Sequence, residues 1–321
     1  MADDQRETIA FLSDPSSYEA AGDVERRETH ISLVFFAGER AYKLKRAVQF
    51  PYLDFSTVEQ RRKACAAELA LNRRTAPGLY LKTRAVARGA DGRLGWDVDG
   101  DIVDWVVVMR RFGQDQRLDA MAKTGGLEPR LLTALAAHIA AFHATAERRP
   151  DSGGAAALAA VIAENDECLR DSAVAFPAQG IDELRERSRA ALDRVGPLID
   201  RRGAAGKVRR CHGDLHLRNI CVIDGKPVLF DCIEFSDAFA SIDVLYDLAF
   251  LLMDLDHQGH RASANLVLNR YLDLTEEADG LAAMPLFISL RAAIRAHVTA
   301  SAGGAPEEAR AYLGHACAAL E

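Results

Sequence analysis

Apolar positions change their period along the chain. From Ile31 to Phe36 they form a short β-branched and aromatic run, Gly38-Glu39-Arg40 interrupts it, and Ala41–Lys45 resumes an extended pattern. This spacing predicts a β-hairpin. Ser56-Thr57-Val58-Glu59 then reads as a capping box, predicting a helix from about Thr57 to Arg74 that Pro77-Gly78 ends. Two further strands are expected at Leu81–Ala87 and Ile102–Met109, with an Asp91-Gly92 turn and the polar Gly95–Gly100 stretch between them. Beyond Arg110-Arg111-Phe112 the period becomes helical. Leu131, Leu132, Leu135, Ile139 and Phe142 predict a helix over Pro129–Glu147. Residues 151–205 are Ala-rich and helical in pattern, with breaks expected at Pro177, Gly180 and Gly196. A short β island follows: Ile220–Ile223 and Val228–Asp231 flank Asp224-Gly225-Lys226-Pro227, a step suited to a tight hairpin. Ile242, Leu245, Leu248, Ala249, Leu252 and Met253 then share one helical face. The remainder is helical, with a break at Gly303–Pro306.

The chain of 321 residues fits one large domain or two lobes. With 49% apolar and 27% charged residues it has an ordinary globular composition. A net charge of −7 argues against broad nucleic-acid binding, which needs a basic surface, and is compatible with a cationic substrate. The acidic N-terminal stretch lacks the apolar run of a signal peptide. The most apolar segment, Val244–Leu255, is too short to span a bilayer and carries Asp247 and Asp254. The expectation is a cytoplasmic protein without membrane or nucleic-acid partners. Its six cysteines contain no C-x-x-C pair, so free, mostly buried thiols are expected.

The chemistry concentrates in Cys211-His212-Gly213-Asp214-Leu215-His216-Leu217-Arg218-Asn219-Ile220, followed across the hairpin by Phe230-Asp231-Cys232-Ile233-Glu234. The pattern is H-x-D-x-x-x-x-N and then a strand-end Asp. Phosphoryl transfer needs a carboxylate to orient the attacking hydroxyl and accept its proton. It also needs oxygen ligands to hold Mg²⁺ against the ATP phosphates. Asp214 suits the first role, Asn219 and Asp231 the second, with the hairpin expected to fold Asp231 back toward the loop.

At these residues the chain resembles the aminoglycoside phosphotransferase branch of the protein-kinase-like superfamily. Gly213 stands where protein kinases carry an Arg that pairs with a phosphorylated activation loop, so the resemblance implies no such switch. Asp231-Cys-Ile-Glu resembles the Asp-x-x-Glu variation of small-molecule kinases. Glu28-Thr29-His30-Ile31-Ser32, Tyr42-Lys43-Leu44-Lys45, Leu53-Asp54-Phe55-Ser56-Thr57 and Leu229–Phe235 resemble a bacterial group of predicted kinases. In that group this unit often precedes a P-loop ATPase domain. The resemblance spans roughly residues 25–300 and implies an α+β, bilobal protein-kinase-like fold. A β-rich N-lobe over 1–112 would bind nucleotide. A mostly helical C-lobe over 113–321 would carry the catalytic loop (211–219), the metal-loop hairpin (220–235) and a helical insert (151–205). ATP would sit between them.

The remaining kinase parts follow by position. Lys43 and Lys45 share one strand face, and either could be the phosphate lysine. Ala41, two residues before Lys43, is the small neighbour an adenine needs, which favours Lys43. Glu68, mid-helix, is its expected partner, Glu59 being engaged in capping. No G-x-G-x-x-G loop is present, so Ser32 and nearby backbone amides are candidates to replace it. Backbone groups around Met109 and Arg111 are the candidate adenine contacts. The resemblance gives Asp247 and His212 the task of supporting the catalytic loop. Glu234 and Asp237, just past the metal loop, are candidates to meet substrate.

The function expected is ATP- and Mg²⁺-dependent transfer of the γ-phosphate to a hydroxyl of an aminoglycoside-, sugar- or metabolite-like small molecule. An alternative is a kinase-like regulatory or binding module for a P-loop ATPase partner domain. A protein kinase or a HipA-like toxin is a variant of the first reading. The helical insert and the lack of a recognisable activation segment favour a small acceptor over either. His212, Asp214 and His216 also spell H-x-D-x-H, a zinc-hydrolase spacing, but no second ligand cluster accompanies them. No G-x-x-x-x-G-K-[ST] motif occurs, so the chain itself is not a P-loop kinase.

Overall fold

The computed structural model describes residues 4–19, 22–50, 53–172 and 176–321. The chain divides into two compact units: Met1–Gln116 with Val228–Ser236, and Arg117–Pro227 with Asp237–Glu321.

The first unit opens with α1 (Arg6–Ser13), β1 (Glu25–Glu28), β2 (Ser32–Ala37) and β3 (Arg40–Lys45). The short strands β4 (Gln49–Phe50) and β5 (Leu53–Asp54) follow. Then come α2 (Val58–Asn72), β6 (Tyr80–Arg88), β7 (Leu94–Trp96) and β8 (Asp101–Arg110). Six strands form one antiparallel sheet in the order β1-β2-β3-β8-β6-β7. Alternation along the strands sorts the side chains onto two faces. Leu33, Phe35, Ala37, Tyr42, Leu44, Val86, Val106 and Val108 pack against Leu12 of α1. Ala41, Lys43 and Lys45 point to the opposite face. There Lys43 and Lys45 both reach Glu68 of α2. Arg61 of α2 meets Asp104 of β8 at 2.8 Å with both side chains buried, Asp104 standing opposite Val86 and also taking the Gln5 side-chain amide at 2.7 Å. Five elements of this unit carried no sequence signal: α1, the wholly exposed β1, the two-residue strands β4 and β5, and β7, which overlaps the stretch that looked polar.

The capping box of α2 is shifted one residue from its expected position. Thr57 is the N-cap and Gln60 completes the box, while Glu59 pairs with Arg62 at 2.7 Å. Both registers satisfy the S/T-x-x-E/Q rule in type. The Asp54 carboxylate decides between them, taking the Ser56 amide (2.9 Å) and the Gln60 amide group (2.8 Å).

The second unit holds α3 (Leu118–Lys123), α4 (Pro129–Thr145), α5 (Gly154–Arg170) and α6 (Ala178–Ala204). After β9 (Val208–Arg210) comes β10 (Ile220–Ile223), then a turn made by Asp224 and Gly225 at φ +51° and +74°, and β11 (Lys226–Leu229), whose Val228 and Leu229 already belong to the first unit. Helix α7 (Asp237–Ala240) and β12 (Ser241–Asp243) lead into α8 (Val244–His257), α9 (Arg261–Leu274), α10 (Met284–Ser301) and α11 (Pro306–Ala318). Every residue of α8 from Val244 to Leu255 is buried. Phe250 and Met253 of α8 pack with Leu184, Ala292, Ala296, Tyr312 and Leu313 from α6, α10 and α11. Ile242, expected on the α8 face, belongs instead to β12, where it pairs with Arg209. The segment Ala278–Ser301 is long and apolar enough to cross a bilayer by length and composition; here Leu286, Phe287, Leu290 and Arg291 of α10 are buried within the unit.

The breaks expected at Gly180 and Gly196 do not occur, and α6 runs through Gly196-Pro197. Pro197 has no N–H for the carbonyl four residues back. Burial of Leu184, Ala191, Leu192, Gly196 and Ile199 on one stripe nevertheless carries the helix through. A Cβ at Gly196 would meet Ala155 of α5 at 3.4 Å, an ordinary van der Waals contact. All six cysteines are free.

Candidate functional site

The first unit gathers five ionisable side chains. Lys43 Nζ lies 2.9 Å from Glu68 Oε1 and 2.5 Å from Asp231 Oδ1. Lys45 Nζ lies 2.5 Å from Glu68 Oε2 and also meets Glu234 Oε1. Glu68 therefore addresses one lysine with each oxygen. Of the two lysines, it is Lys43 that meets Asp231 among the described residues. Desolvation pulls the Lys43 ammonium down, but Asp231 and Glu68 outweigh it and hold its pKa well above the ordinary value. Burial pushes Glu68 up, and the two lysines overcome this and bring it below the usual carboxylate range. Glu234 has one lysine and sits beside Glu68, so burial wins and its pKa is raised.

The backbone of 229–232 is held by neighbouring side chains. Thr75 Oγ1 donates to the Leu229 carbonyl (2.8 Å), Tyr80 Oη accepts from the Asp231 amide (3.1 Å), and Asn72 Oδ1 accepts from the Cys232 amide (2.9 Å). Asp231 has φ +61°, a left-handed conformation unusual for a residue with a Cβ. Its side chain is 42% exposed, unlike the buried Glu68 and Lys45.

The second unit anchors the loop of residues 211–219 on α8. Asp247 accepts the Gly213 amide at 2.8 Å with one oxygen. With the other it accepts the His212 amide at 3.1 Å and His143 Nε2 at 3.0 Å. His143 Nδ1 in turn meets Tyr271 Oη at 2.9 Å. Burial raises the Asp247 carboxyl, but His143 and His212 hold it below its ordinary value. Gly213 sits at φ +85°, which explains glycine at this position: an Arg would be strained there. Asp254, one helical span further on, accepts the Leu217 amide at 2.9 Å.

Within the loop, Asn219 Nδ2 donates to Asp214 Oδ2 (2.8 Å) and to the Asp214 carbonyl (3.0 Å). His216 Nε2 lies 3.3 Å from Asp214 Oδ2. Its Nδ1 accepts the Arg218 amide at 3.2 Å, so the ring proton is on Nε2 and donates to Asp214. Desolvation pushes the Asp214 carboxyl up, while His216, Arg295 and His212 together bring it well below the carboxylate range. His212 is buried and accepts the Asp214 amide through Nδ1 (3.3 Å), a supporting position.

Five further candidates take the following places. Glu234, a candidate to meet substrate, is buried beside Lys45, with 5% of its side chain exposed. A carboxylate there satisfies a lysine rather than facing solvent. Asp237 is exposed but paired with Arg210 (3.0 Å) and Arg149 (3.5 Å). The Arg111 amide, a candidate adenine contact, donates to the Glu39 carbonyl (2.8 Å), and its guanidinium pairs with Glu25 and lies over Phe36. Met109 is buried in β8 opposite Ala41. A cavity of about 450 Å³ opens at this end of the sheet, lined by Glu25, Arg27, Phe36, Arg40, Arg111 and Phe112. Ser32 pairs across the strands with Lys45 and is buried, and its hydroxyl finds no partner among the described residues.

Among the described residues one group has metal-like spacing: the ligand atoms of His143, Cys211 and Asp247 lie within 4.8 Å of one another. Both His143 nitrogens and both Asp247 oxygens already make hydrogen bonds, and Cys211 Sγ lies 3.5 Å from the Ile242 carbonyl. This is a satisfied polar core. The H-x-D-x-H spacing likewise resolves into hydrogen bonds, His212 with the Asp214 amide and His216 with its carboxylate.

A family model described as the phosphotransferase enzyme family matches residues 39–285, well over half of the chain. The chain belongs to the phosphotransferase enzyme family. Curated relatives in this comparison include an uncharacterized protein of Mycobacterium tuberculosis and one of Mycobacterium bovis. Each is 31% identical over 308 residues, covering 91% of this chain and 58% of the relative. The chain thus spans less than two thirds of those proteins. Among solved structures, a choline/ethanolamine kinase family protein from Mesorhizobium loti aligns with a TM-score of 0.55 at 19% identity, over 98% of this chain and 94% of that one. A thermostable mutant of aminoglycoside phosphotransferase APH(4)-Ia gives 0.58 at 14% identity, over 97% of both chains. Choline kinase LicA from Streptococcus pneumoniae gives 0.57 at 14% identity, over 99% of both. At these identities the likeness concerns the fold, which is the α+β kinase-like fold expected from the motifs.

Sequence reading passed over several residues of this family member's site. His216 was legible only as a zinc-like ligand, and Lys45 only as the rival of Lys43. Asn72, Tyr80, His143 and Asp254 carry no local signal, because each acts across a gap in the chain that only folding closes.

Proposed function

We propose that the protein is an ATP- and Mg²⁺-dependent phosphotransferase that moves the γ-phosphate to a hydroxyl of a small molecule. The observation that carries this reading is Lys43 held between Glu68 and Asp231. A buried strand lysine kept charged by a helix glutamate, and touching a partly open carboxylate, is the equipment for gripping nucleotide phosphates beside a divalent cation. Lys43 would bind the phosphates, with Glu68 fixing its orientation. The cavity beside Arg111 and Phe112 supports a nucleoside end at that edge of the sheet, with Met109 nearby on β8, and Ser32, opposite Lys45 at the other end of β2, is a candidate for the phosphates.

The residues present suit Mg²⁺. Asp231 offers a partly exposed carboxylate. Asn219 directs its amide N–H toward Asp214, which leaves its carbonyl oxygen as the acceptor. Hard oxygen donors of this kind match the ion. When bound, Mg²⁺ would neutralise phosphate charge as the terminal phosphoryl group leaves. Asp214 would orient the acceptor hydroxyl and take its proton. Its depressed pKa makes it a weak base, which fits a loose transition state where proton transfer comes late and positioning dominates. His212 and Asp247 would hold the loop through backbone amides.

Similar folds are named for choline, aminopropanol and glucosamine kinases, and APH(4)-Ia structures hold ADP or AMP-PNP with hygromycin B. These support an amino-alcohol, amino-sugar or aminoglycoside acceptor, in keeping with the net charge of −7. The test is ADP release with Mg·ATP across a panel of such compounds. Asp214→Asn should retain Mg·ATP binding and lose turnover by about 10²-fold or more. Normal turnover in that variant, or in Asp231→Ala, would reject the assignment. Because the chain spans 58% of its curated relatives, a second reading is a kinase-like module serving a further domain such as a P-loop ATPase. Nucleotide binding without turnover on any acceptor would favour it.

A further inference from the structure

The pair Lys43–Glu68 is sufficient for a phosphate lysine, yet the first unit buries a second pair beside it. Lys45 has no exposed side-chain surface, and its ammonium lies 5.2 Å from the centre of the Phe55 ring. Burying two more charges is costly unless each is closely paired. The five groups alternate in sign: Asp231, Lys43, Glu68, Lys45, Glu234. Both ends of this series lie on one short segment, three residues apart. Two lysines on one face of β3 therefore grip residues 231–234 at two points. Thr75, Tyr80 and Asn72 hold the backbone before, at and just after the first of them. Within this grip Asp231 keeps a left-handed backbone, which a residue with a Cβ holds only when its surroundings over-determine it.

We propose that Lys45 and Glu234 are positioning residues that fix the Asp231 segment and the Glu68 carboxylate, so that Asp231 is presented to its cation in one conformation. This rests on the proposed role of Asp231 as a cation ligand. Neither Lys45 nor Glu234 would touch nucleotide or acceptor. Lys45 acts through Glu68 on one side and through Glu234 on the other.

The experiment compares the full chain with Lys45→Met, Glu234→Gln, the double variant Lys45→Met/Glu234→Gln, and Lys45→Arg. Lys45→Met leaves Glu68 and Glu234 facing each other and can compromise folding. The double variant removes both charges of the pair and keeps the test valid. The first readout is amide hydrogen exchange of residues 229–236, with amides of β6 as internal reference. The second is the Mg²⁺ concentration giving half-maximal turnover or Mg·ATP binding. In the double variant, exchange of 229–236 should rise about tenfold over that of β6, and half-saturating Mg²⁺ should rise by a similar factor. The KM for the acceptor should not move. Lys45→Arg should recover part of both effects. A folded double variant with wild-type exchange in 229–236, or with acceleration spread evenly over β6, would overturn the proposal. So would an unchanged Mg²⁺ dependence. If the wild-type chain neither binds nor turns over Mg·ATP, the proposed function fails, and the exchange readout still decides whether Lys45 and Glu234 hold the segment.

Discussion

His216 donates its Nε2 proton to the Asp214 carboxylate across 3.3 Å, while its Nδ1 is fixed by the Arg218 amide. The ring is buried and meets Phe250 edge-on with centroids 5.2 Å apart, so it has little freedom to leave this position. Together with Asn219 it engages Asp214 Oδ2 and leaves Oδ1 for an acceptor. On the proposed mechanism, His216→Ala should lower kcat by roughly 10- to 100-fold, the worth of one hydrogen bond to a charged group. KM for ATP should stay near wild type. Steady-state kinetics with both substrates varied checks this; a rise in KM for ATP with unchanged kcat would contradict it.

Gly213 supports a prediction about conformation. At φ +85° its amide points to Asp247 Oδ1. Gly213→Ala should cost about 1–2 kcal/mol through backbone strain alone. The loss should appear in urea unfolding and be accompanied by reduced turnover, because the strained residue precedes Asp214. Unchanged stability would mean the loop relaxes freely.

Asp247 ties three donors together, two of them the backbone amides of His212 and Gly213. Asp247→Ala leaves these buried groups without their acceptor and should destabilise the second unit by about 3–5 kcal/mol. The same network predicts that purified protein carries no stoichiometric zinc, since the His143–Cys211–Asp247 group is already satisfied. Elemental analysis checks this. Cys211→Ser should leave Mg²⁺-dependent turnover within twofold, which about 0.4 kcal/mol would correspond to.

His297 gives a pH prediction. Burial lowers its pKa from the usual 6.5 to about 4, and its Nε2 meets Asn165 Oδ1 at 3.2 Å. Between pH 6.5 and 4 the unfolded chain holds a proton on this ring and the folded chain does not. Stability contributed by neutral His297 is therefore complete above pH 6.5 and declines as pH falls toward 4, by at most about 1.4 kcal/mol per pH unit. His257 and His315 are also lowered by burial and add slopes of the same sign. Urea unfolding of His297→Gln against wild type isolates the His297 share. Parallel stability–pH curves for the two proteins would refute the assignment.

Much of this architecture follows from local pattern. Strand alternation put Lys43 and Lys45 on one face, and helical spacing offered Glu68 as their partner. The H-x-D-x-x-x-x-N run brings Asp214 and Asn219 together within six residues, and the structure joins them by a direct hydrogen bond. These relations lie within one element or between elements of clear period, where chemistry and spacing suffice. The choice of Lys43 over Lys45 as the lysine at Asp231, by contrast, needed the fold. So did the burial of Glu234, the occupied amide of Arg111 and the unbroken run of α6 through Gly196-Pro197.

The amino-acid order by itself determined the main strands and helices, such as the hairpin at 31–45 and the helix beginning at Pro129, and the identity of the carboxylates and lysines available for chemistry. Tertiary packing alone decided which of those charges are buried together and which remain open to solvent. The physical reason is that desolvation depends on everything surrounding a side chain, including residues such as Asn72, Tyr80 and His143 that lie far away in the chain. A single sequence read in windows carries the chemistry of each group but not its surroundings.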